Sequence, residues 1–353
     1  MLRYIIRRVL QFIPVLIAVT LFTFVLMRAI PGGPFDHAGD KALPPQVVAN
    51  IEAKYHLDWP MWKQFLSYLI GDDLLGEEGP SMGVIRGDLG PSLRYRGQTV
   101  NDIIETSLPV SAQLGFMSLL LALIIGIPTG TIAALKQNTW MDYTSTFAAV
   151  IFLSIPNLVL APVLIWIFAI ELGWFPVATW GAKPPFFLGI FPRFSQLNAN
   201  YFSHAILPVF ALGTSSAAGI ARLTRASLLQ VVNEDYIRTA RSKGLREQTV
   251  IVVHALKNSL IPVVTILGPA FAALVTGTFV VELIFGINGL GKHFVTSIGN
   301  RDYPVITGVT LIYAVVLVIA NLLVDVPMPG LIHAFALIRK ILTKTQEIKY
   351  GCC

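Results

Sequence analysis

Long apolar stretches without a charged side chain constrain the fold of this chain of 353 residues more than any other feature. Six of them contain no Asp, Glu, Lys or Arg: residues 9–27, 108–135, 143–170, 204–221, 259–281 and 304–324. A helix of about 20 residues spans the hydrocarbon core of a bilayer. We therefore predict an all-α, polytopic membrane bundle of six transmembrane helices. Pro128 and Pro156 lie inside two of them, where proline is expected to kink the helix.

The composition excludes several other classes of protein. Only 13% of the residues are charged and the mean hydropathy is +0.68, which is too apolar for a soluble globule or a disordered chain. Two cysteines are too few for a disulfide scaffold. The net charge of +6 is spread over the segments between the apolar stretches, which argues against a nucleic-acid partner and leaves membrane lipid as the surroundings.

The basic residues predict the orientation of the bundle. If the N-terminus is cytoplasmic, 15 Lys and Arg lie in the cytoplasmic segments, against 4 in the short outer loops. Basic residues in short loops stay in the cytoplasm, whereas a long loop such as 31–107 crosses regardless of its charge. We predict that both termini are cytoplasmic and that the protein is a multi-pass protein of the bacterial plasma (inner) membrane.

The chain divides into four parts: an N-terminal cytoplasmic end with the first transmembrane helix (1–30), an extracytoplasmic loop region (31–107), a transmembrane core (108–325) and a C-terminal tail (326–353). In the tail, residues 331–344 could form a basic amphipathic helix at the inner membrane surface. The cysteines at 352 and 353 are expected in a free end, with lipidation and metal capture as alternatives.

The outer loop region carries one helical pattern. Trp62, Phe65, Leu66 and Leu69 follow the spacing of one face of a helix. We interpret residues 31–107 as a small folded cap on the outer face, and a ligand-recognition role is the alternative.

Two motifs point to ordinary packing more than to chemistry. Residues 286–293 have the glycine and lysine spacing of a nucleotide-binding loop, but His293 replaces the Ser or Thr that binds Mg²⁺, and the segment follows a membrane helix on the outer side. We expect a tight turn there. Gly126 and Gly130 form a Gly-x-x-x-Gly motif, which allows close helix packing within the chain or between subunits.

The predicted membrane spans carry no group that could couple transport to ions. Carriers driven by ions and intramembrane enzymes place ionisable side chains at membrane depth, but only His204 lies at the edge of a predicted span. The six histidines are scattered without metal-ligand spacing, so we expect no metal site, cofactor or catalytic residue in this chain. A passive channel, an ion-driven carrier and an intramembrane enzyme remain as rival classes.

The cytoplasmic segment 222–258 is the clearest functional feature. Residues 235–244 predict a helix that ends at Gly244, with basic residues in its last turn. A second helix is predicted from about residue 246 to residue 258. Two short helices joined at a glycine form a rigid projection that a soluble partner could bind, in a connection much longer than packed helices require.

This segment resembles the membrane subunits of binding-protein-dependent ABC importers. Arg238-Thr239-Ala240 stands where that family has Glu-Ala-Ala, Gly244 matches its glycine, and His254-Ala255-Leu256 follows after nine residues. Arg238 and Lys257, which stands where the family has Pro, are similar to the peptide-transporter branch, and within it to B-type subunits of oligopeptide importers. Further matching segments lie in order along the chain as far as Asp325: 31–35, 53–57, 87–92, 133–139, 280–282 and 301–303. The tail after Asp325 departs from the family pattern.

The resemblance implies a type I importer permease that forms half of a translocation path. It implies that the following residues couple the chain to an ATPase: Arg238, Thr239, Ala240, Arg241, Lys243, Gly244, Leu245, Glu247, His254 and Leu256. Ser154, Asn157, Phe279 and Glu282 are candidates for the path or its gate.

The same resemblance implies the partners of the chain. They are a second, homologous permease subunit, two ATP-binding subunits that hold ATP and magnesium, an extracytoplasmic peptide-binding protein and the peptide substrate. The chain itself is then not an enzyme. An importer of dipeptides, nickel or glutathione is the alternative within the family.

Overall fold

The computed structural model describes residues 2–30, 45–95, 97–187, 189–277 and 279–326. Its helices are Leu2–Ala29 (α1), Pro45–Lys54 (α2), Met61–Ile70 (α3), Val100–Leu135 (α4), Trp140–Ser154 (α5), Asn157–Leu164 (α6), Ala199–Val232 (α7), Asp235–Ser242 (α8), Glu247–Thr249 (α9), Lys257–Ser259 (α10), Ile261–Thr276 (α11), Phe279–Ile284 (α12), Leu290–Asn300 (α13) and Tyr303–Asp325 (α14). Two π-helical stretches extend them, Ile165–Glu171 after α6 and Val250–Leu256 after α9. The predicted turn at 31–34, the predicted helix at 331–344 and both cysteines lie outside the described residues.

In the described part of the chain, five apolar stretches are long enough to cross a membrane as they stand. They comprise α1, α4, α7, the segment Ile261–Ile284 that contains α11 and α12, and α14. The third predicted span is divided: α5 and the segment Asn157–Glu171 meet at an angle of 101°. The kink predicted near Pro156 is therefore confirmed, because this proline lies in the break between them. α4, in contrast, continues through Pro128 as a single helix.

Contacts across the bundle show that the divided segment still crosses the membrane. α4 and α7 run parallel, since Gly126 packs against Ala217 and Gly130 packs one turn further along against Ala221. Two consecutive parallel spans require a return crossing between them. Arg8 in α1 also forms an ion pair with Asp325 at the end of α14, so both ends of the bundle lie on the same side. Both observations agree with six crossings, the upper number that the apolar helices allow.

The α4–α7 pair forms the centre of the bundle. A Cβ on Gly126 would lie 2.7 Å from the Ala217 carbonyl oxygen, so only glycine lets the backbones approach this closely. A Cβ on Gly213 of α7 would likewise lie 2.9 Å from the Ser118 carbonyl oxygen. Of the two readings of the Gly-x-x-x-Gly motif, packing within the chain is the one observed.

The outer segment folds into the expected cap against the ends of α1 and α14. The predicted helix around Trp62 is confirmed as α3, and its Phe65 ring stacks edge-on against Phe24 of α1 with centroids 5.2 Å apart. Buried Asp302, just before α14, accepts hydrogen bonds from the Ser92 hydroxyl at 2.5 Å and the Leu93 amide at 3.1 Å. These contacts hold the cap on the transmembrane core.

Candidate functional site

The cytoplasmic segment consists of two short helices joined by a glycine turn. α8 ends at Ser242, and Gly244 follows in the left-handed region with φ +72°. The left-handed conformation is energetically unfavourable for every L-residue that has a Cβ atom, and this explains why glycine occupies the position. α9 begins at Glu247, and its continuation through Val250–Leu256 leads into α10 and α11. Both predicted helices and the glycine stop are confirmed.

An apolar cluster beneath α8 fixes this segment to the bundle. Ile237 and Ala240 of α8 pack with Val250 and Ala255 of the following helix and with Leu228 of α7, and all five are buried. Burying a side chain such as isoleucine contributes about 1.5–3 kcal/mol to the free energy of folding. The cluster therefore ties the position of α8 to that of α7.

The tip of the segment is a continuous exposed surface from residue 241 to residue 248. Among the candidate coupling residues, Arg238, Thr239, Arg241, Lys243, Gly244, Leu245 and Glu247 are exposed. Ala240 is buried in the apolar cluster, and His254 and Leu256 are half-buried in the second helix. The ten candidates thus divide into an outward-facing group at the tip and a smaller group that supports it.

An ion pair closes the turn at the tip. The Arg241 guanidinium donates to the Glu247 carboxylate, with 2.8 Å between Nη2 and Oε1. This hydrogen bond lowers the pKa of Glu247 and raises that of Arg241. A second link joins the two helices at their base, where the Asn258 amide donates to the Tyr236 hydroxyl at 2.9 Å.

A second ion pair, between α5 and α7, was not predicted. Arg225 of α7 donates to both carboxylate oxygens of Asp142 in α5, at 2.6 and 2.7 Å. The Asp142 side chain is only 3% exposed, and it also accepts a hydrogen bond from the backbone N–H of Asn138 at 3.0 Å. Arg225 lies one turn before Leu228 of the apolar cluster. The pair therefore connects the cytoplasmic segment with the start of the divided span.

The sequence contained a signal for this pair. Asp142 immediately precedes the apolar stretch 143–170, and Arg225 follows the stretch 204–221 by four residues. Opposite charges at the ends of two apolar stretches that face the same side of the membrane are candidates for pairing. The helices extend beyond the apolar stretches, so they include these two charges and also Arg28 and Glu282. These charges lie toward the helix ends, beyond the apolar stretches, which themselves carry no Asp, Glu, Lys or Arg.

The four candidates for the path lie in two places. Ser154 and Asn157 flank the break between α5 and α6, and Ser154 is exposed with its hydroxyl bonded to the Val150 carbonyl at 2.7 Å. Phe279, at the start of α12, is 38% exposed. α12, which begins at Phe279, packs against α6, which begins at Asn157. The role of these candidates in transport stays a prediction.

Glu282 has a different environment from the other three. Its side chain is fully buried, accepts a hydrogen bond from the Ser111 hydroxyl at 2.5 Å, and accepts another from the Lys292 amide at 2.9 Å. It thus caps the N-terminus of α13, as carboxylates at helix N-termini commonly do. In this conformation Glu282 supports the fold and does not line an open surface, and its role on the path stays a prediction.

The same contact agrees with a turn at residues 286–293, as expected in place of a nucleotide-binding loop. The N-terminus of α13, where a phosphate would bind, is occupied by the buried Glu282 carboxylate. A second anion there would meet strong repulsion. The expected tight turn is confirmed at Gly286, whose φ is +60°.

Two family descriptions match the chain. The "Binding-protein-dependent transport system inner membrane component" family matches residues 126–329, and the N-terminal family of the same membrane components matches residues 1–115. Among solved structures, a chain of the inward-facing MetNI methionine ABC transporter is similar. The alignment covers 65% of this chain and 94% of that chain, with 18% identity and a TM-score of 0.47.

Curated relatives match over almost the full length. The oligopeptide transport system permease protein OppB of Haemophilus influenzae is 39% identical over 92% of this chain and 96% of its own. OppB of Salmonella typhimurium is 43% identical over 88% and 92%, respectively. The dipeptide transport system permease protein DppB of Bacillus subtilis is 42% identical over 92% and 95%. The chain therefore belongs to the family of inner-membrane permease components of binding-protein-dependent ABC transporters, in agreement with the resemblance seen in its sequence.

Proposed function

We propose that this chain is a permease subunit of an ATP-driven peptide importer and forms half of its translocation path. Relatives named oligopeptide and dipeptide permeases match it over nearly their whole length, which is the observation that carries the proposal. A polar peptide in hydrocarbon would leave its amide groups without hydrogen-bond partners, at a cost of several kcal/mol each. A water-accessible path between helix bundles removes this cost. Six helices are too few to enclose such a path, and this supports the presence of a second, homologous permease subunit.

The driving force enters, in our proposal, at the tip formed by residues 241–248. This surface is exposed, yet the apolar cluster around Ile237 and the ion pair of Arg241 hold it in one conformation. A rigid, exposed projection on the cytoplasmic side suits a contact with two ATP-binding subunits. Those subunits would hold ATP and magnesium, and this chain would hydrolyse nothing itself.

The contacts suggest how motion at the tip reaches the membrane. A displacement of α8 moves Leu228 through the apolar cluster, and Arg225 lies one turn away on the same helix. Arg225 in turn holds Asp142 at the start of α5, which leads to the break at Ser154 and Asn157. Two arrangements of the divided span would give alternating access.

We favour oligopeptides as the substrate class, and dipeptides are the alternative within the same proposal. Relatives of both names have similar identities to this chain, so the permease alone does not discriminate between them. An extracytoplasmic peptide-binding protein would select the peptide and deliver it to the outer face. An ion-driven carrier is the candidate from another class, and it requires transport by the chain without ATPase subunits.

Cross-linking tests the position of the ATPase contact. Leu245 is 41% exposed at the tip, and a Leu245→Cys variant is expected to form a disulfide with a cysteine placed on an ATP-binding subunit. Gln137→Cys, exposed in the other cytoplasmic loop, is the matched control. Cross-linking from position 137 but not from position 245 would contradict the proposed contact.

A further inference from the structure

The helix α3 in the outer cap is turned with its apolar face outward. Trp62 is 65% exposed and Leu66 is 37% exposed, one turn apart on the same face. The uncharged polar residues Gln64 and Ser67 face the protein, while Lys63 pairs with the exposed Glu77 at 2.8 Å. The Ser67 hydroxyl, in a residue only 7% exposed, bonds to Asp72, and the Gln64 amide donates to the Leu57 and Trp59 carbonyls at 3.0 and 2.8 Å.

This arrangement is the reverse of an amphipathic helix on a soluble domain. Such a helix buries its apolar side chains and leaves Gln and Ser in water. Here Gln64 and Ser67 have specific partners inside the cap, so the orientation is fixed by hydrogen bonds and not by a loose fit. The outward face of α3 therefore suits surroundings less polar than water.

The position of α3 identifies these surroundings. Its Phe65 packs on Phe24, and Gln64 accepts a hydrogen bond from Arg28 at 2.7 Å, so α3 lies against the last turns of the spanning helix α1. On the opposite side of α1, Phe22 and Leu26 are 69% and 50% exposed, as expected of residues that face lipid. Arg28 is the first charged residue after the apolar stretch 9–27, so α3 lies at the level where α1 leaves the bilayer.

We propose that α3 is an interfacial helix whose Trp62 and Leu66 insert into the outer-leaflet boundary between lipid headgroups and acyl chains. Tryptophan is enriched at this depth because its ring is apolar and its N–H can reach water. A protein partner fits the surface less well. Two exposed side chains on a helix of ten residues supply far less than the roughly 800 Å² per partner that a stable interface buries.

Spin labels measure the environment of this face directly. The transporter, purified with its partner subunits and with native cysteines replaced, carries one nitroxide at Trp62→Cys or Leu66→Cys in lipid nanodiscs. Phe22→Cys on α1 is the lipid reference, and Glu78→Cys, exposed elsewhere in the cap, is the water reference. Collision rates with oxygen, which concentrates in lipid, and with a water-soluble nickel chelate are then compared.

The two labels on α3 are expected to collide more often with oxygen than with nickel, with a ratio between those of the two references. A ratio equal to that at position 78 would overturn the proposal, since the face would then be in water. Protection from both reagents that disappears when the partner subunits are removed would also overturn it and assign the face to a protein contact. Peptide uptake by each labelled transporter confirms that the label leaves the fold intact.

Discussion

Removing one charge of the Asp142–Arg225 pair should uncouple the cytoplasmic segment from the divided span. Asp142→Asn keeps the shape of the side chain and its contact with the Asn138 amide, but it loses the charge that Arg225 holds. Arg225→Gln removes the other charge. The two variants are not equivalent, because the Asp142 side chain is 3% exposed whereas that of Arg225 is 30% exposed.

The free-energy cost of each substitution follows from this difference in burial. Removing one partner of a fully buried ion pair costs about 3–5 kcal/mol, and an exposed pair contributes about 0.2–1 kcal/mol. Arg225 can still reach water, so we expect about 2 kcal/mol for Asp142→Asn, or roughly a 30-fold shift toward separated helices. Arg225→Gln should cost more, because it leaves a buried carboxylate without its charged partner.

The assay is a double-mutant cycle on reconstituted transporter, measured as peptide taken up per ATP hydrolysed. We expect both single variants to lower this ratio, Arg225→Gln more strongly. Asp142→Asn combined with Arg225→Gln should then recover part of the loss. Arg222→Gln, an exposed arginine on the same helix, controls for the charge change. Losses that multiply in the double variant would refute the idea that the two residues act as one unit.

Two glycines give further predictions. Gly244→Ala places a side chain at φ +72° and should cost about 1–2 kcal/mol locally, which lowers uptake per ATP several-fold. Gly76→Ala, at φ +76° in the outer cap with open space around it, should leave coupling unchanged; equal effects would show that the turn at the tip is not special. Gly126→Val forces α4 away from the Ala217 carbonyl and should lower thermal stability, by about 1–3 kcal/mol in free energy. Gly219→Val on α7 faces open space and should have a much smaller effect, and similar melting temperatures would contradict the packing argument.

The apolar stretches and the glycine at 244 were sufficient to predict the bundle and the two cytoplasmic helices. Both depend on local physics, namely the length needed to cross a bilayer and the backbone conformation that ends a helix. The kink predicted beside Pro156 is confirmed, but its size was not predicted: the break separates two segments at 101°. Hydropathy records only that a segment prefers lipid, and it carries no information on how the segment bends.

Contacts between distant segments could not be predicted from the sequence. Glu282 was a candidate for the path, and the structure shows its carboxylate buried, with a hydrogen bond from Ser111, which lies 171 positions earlier. The apolar spacing around Trp62 correctly predicted a helix, yet its direction depends on hydrogen bonds of Gln64 and Ser67. Periodicity identifies a face, and only tertiary partners determine what that face meets.

Transport by purified components is the most direct test of the central claim. The chain alone and the chain with its homologous permease subunit, two ATP-binding subunits and the peptide-binding protein are reconstituted into separate vesicles, with ATP supplied on the cytoplasmic side. The account predicts peptide uptake by the full assembly only, dependent on ATP and unaffected by dissipating ion gradients. Uptake by the chain alone under an ion gradient, or ATP-independent uptake by the assembly, would contradict it.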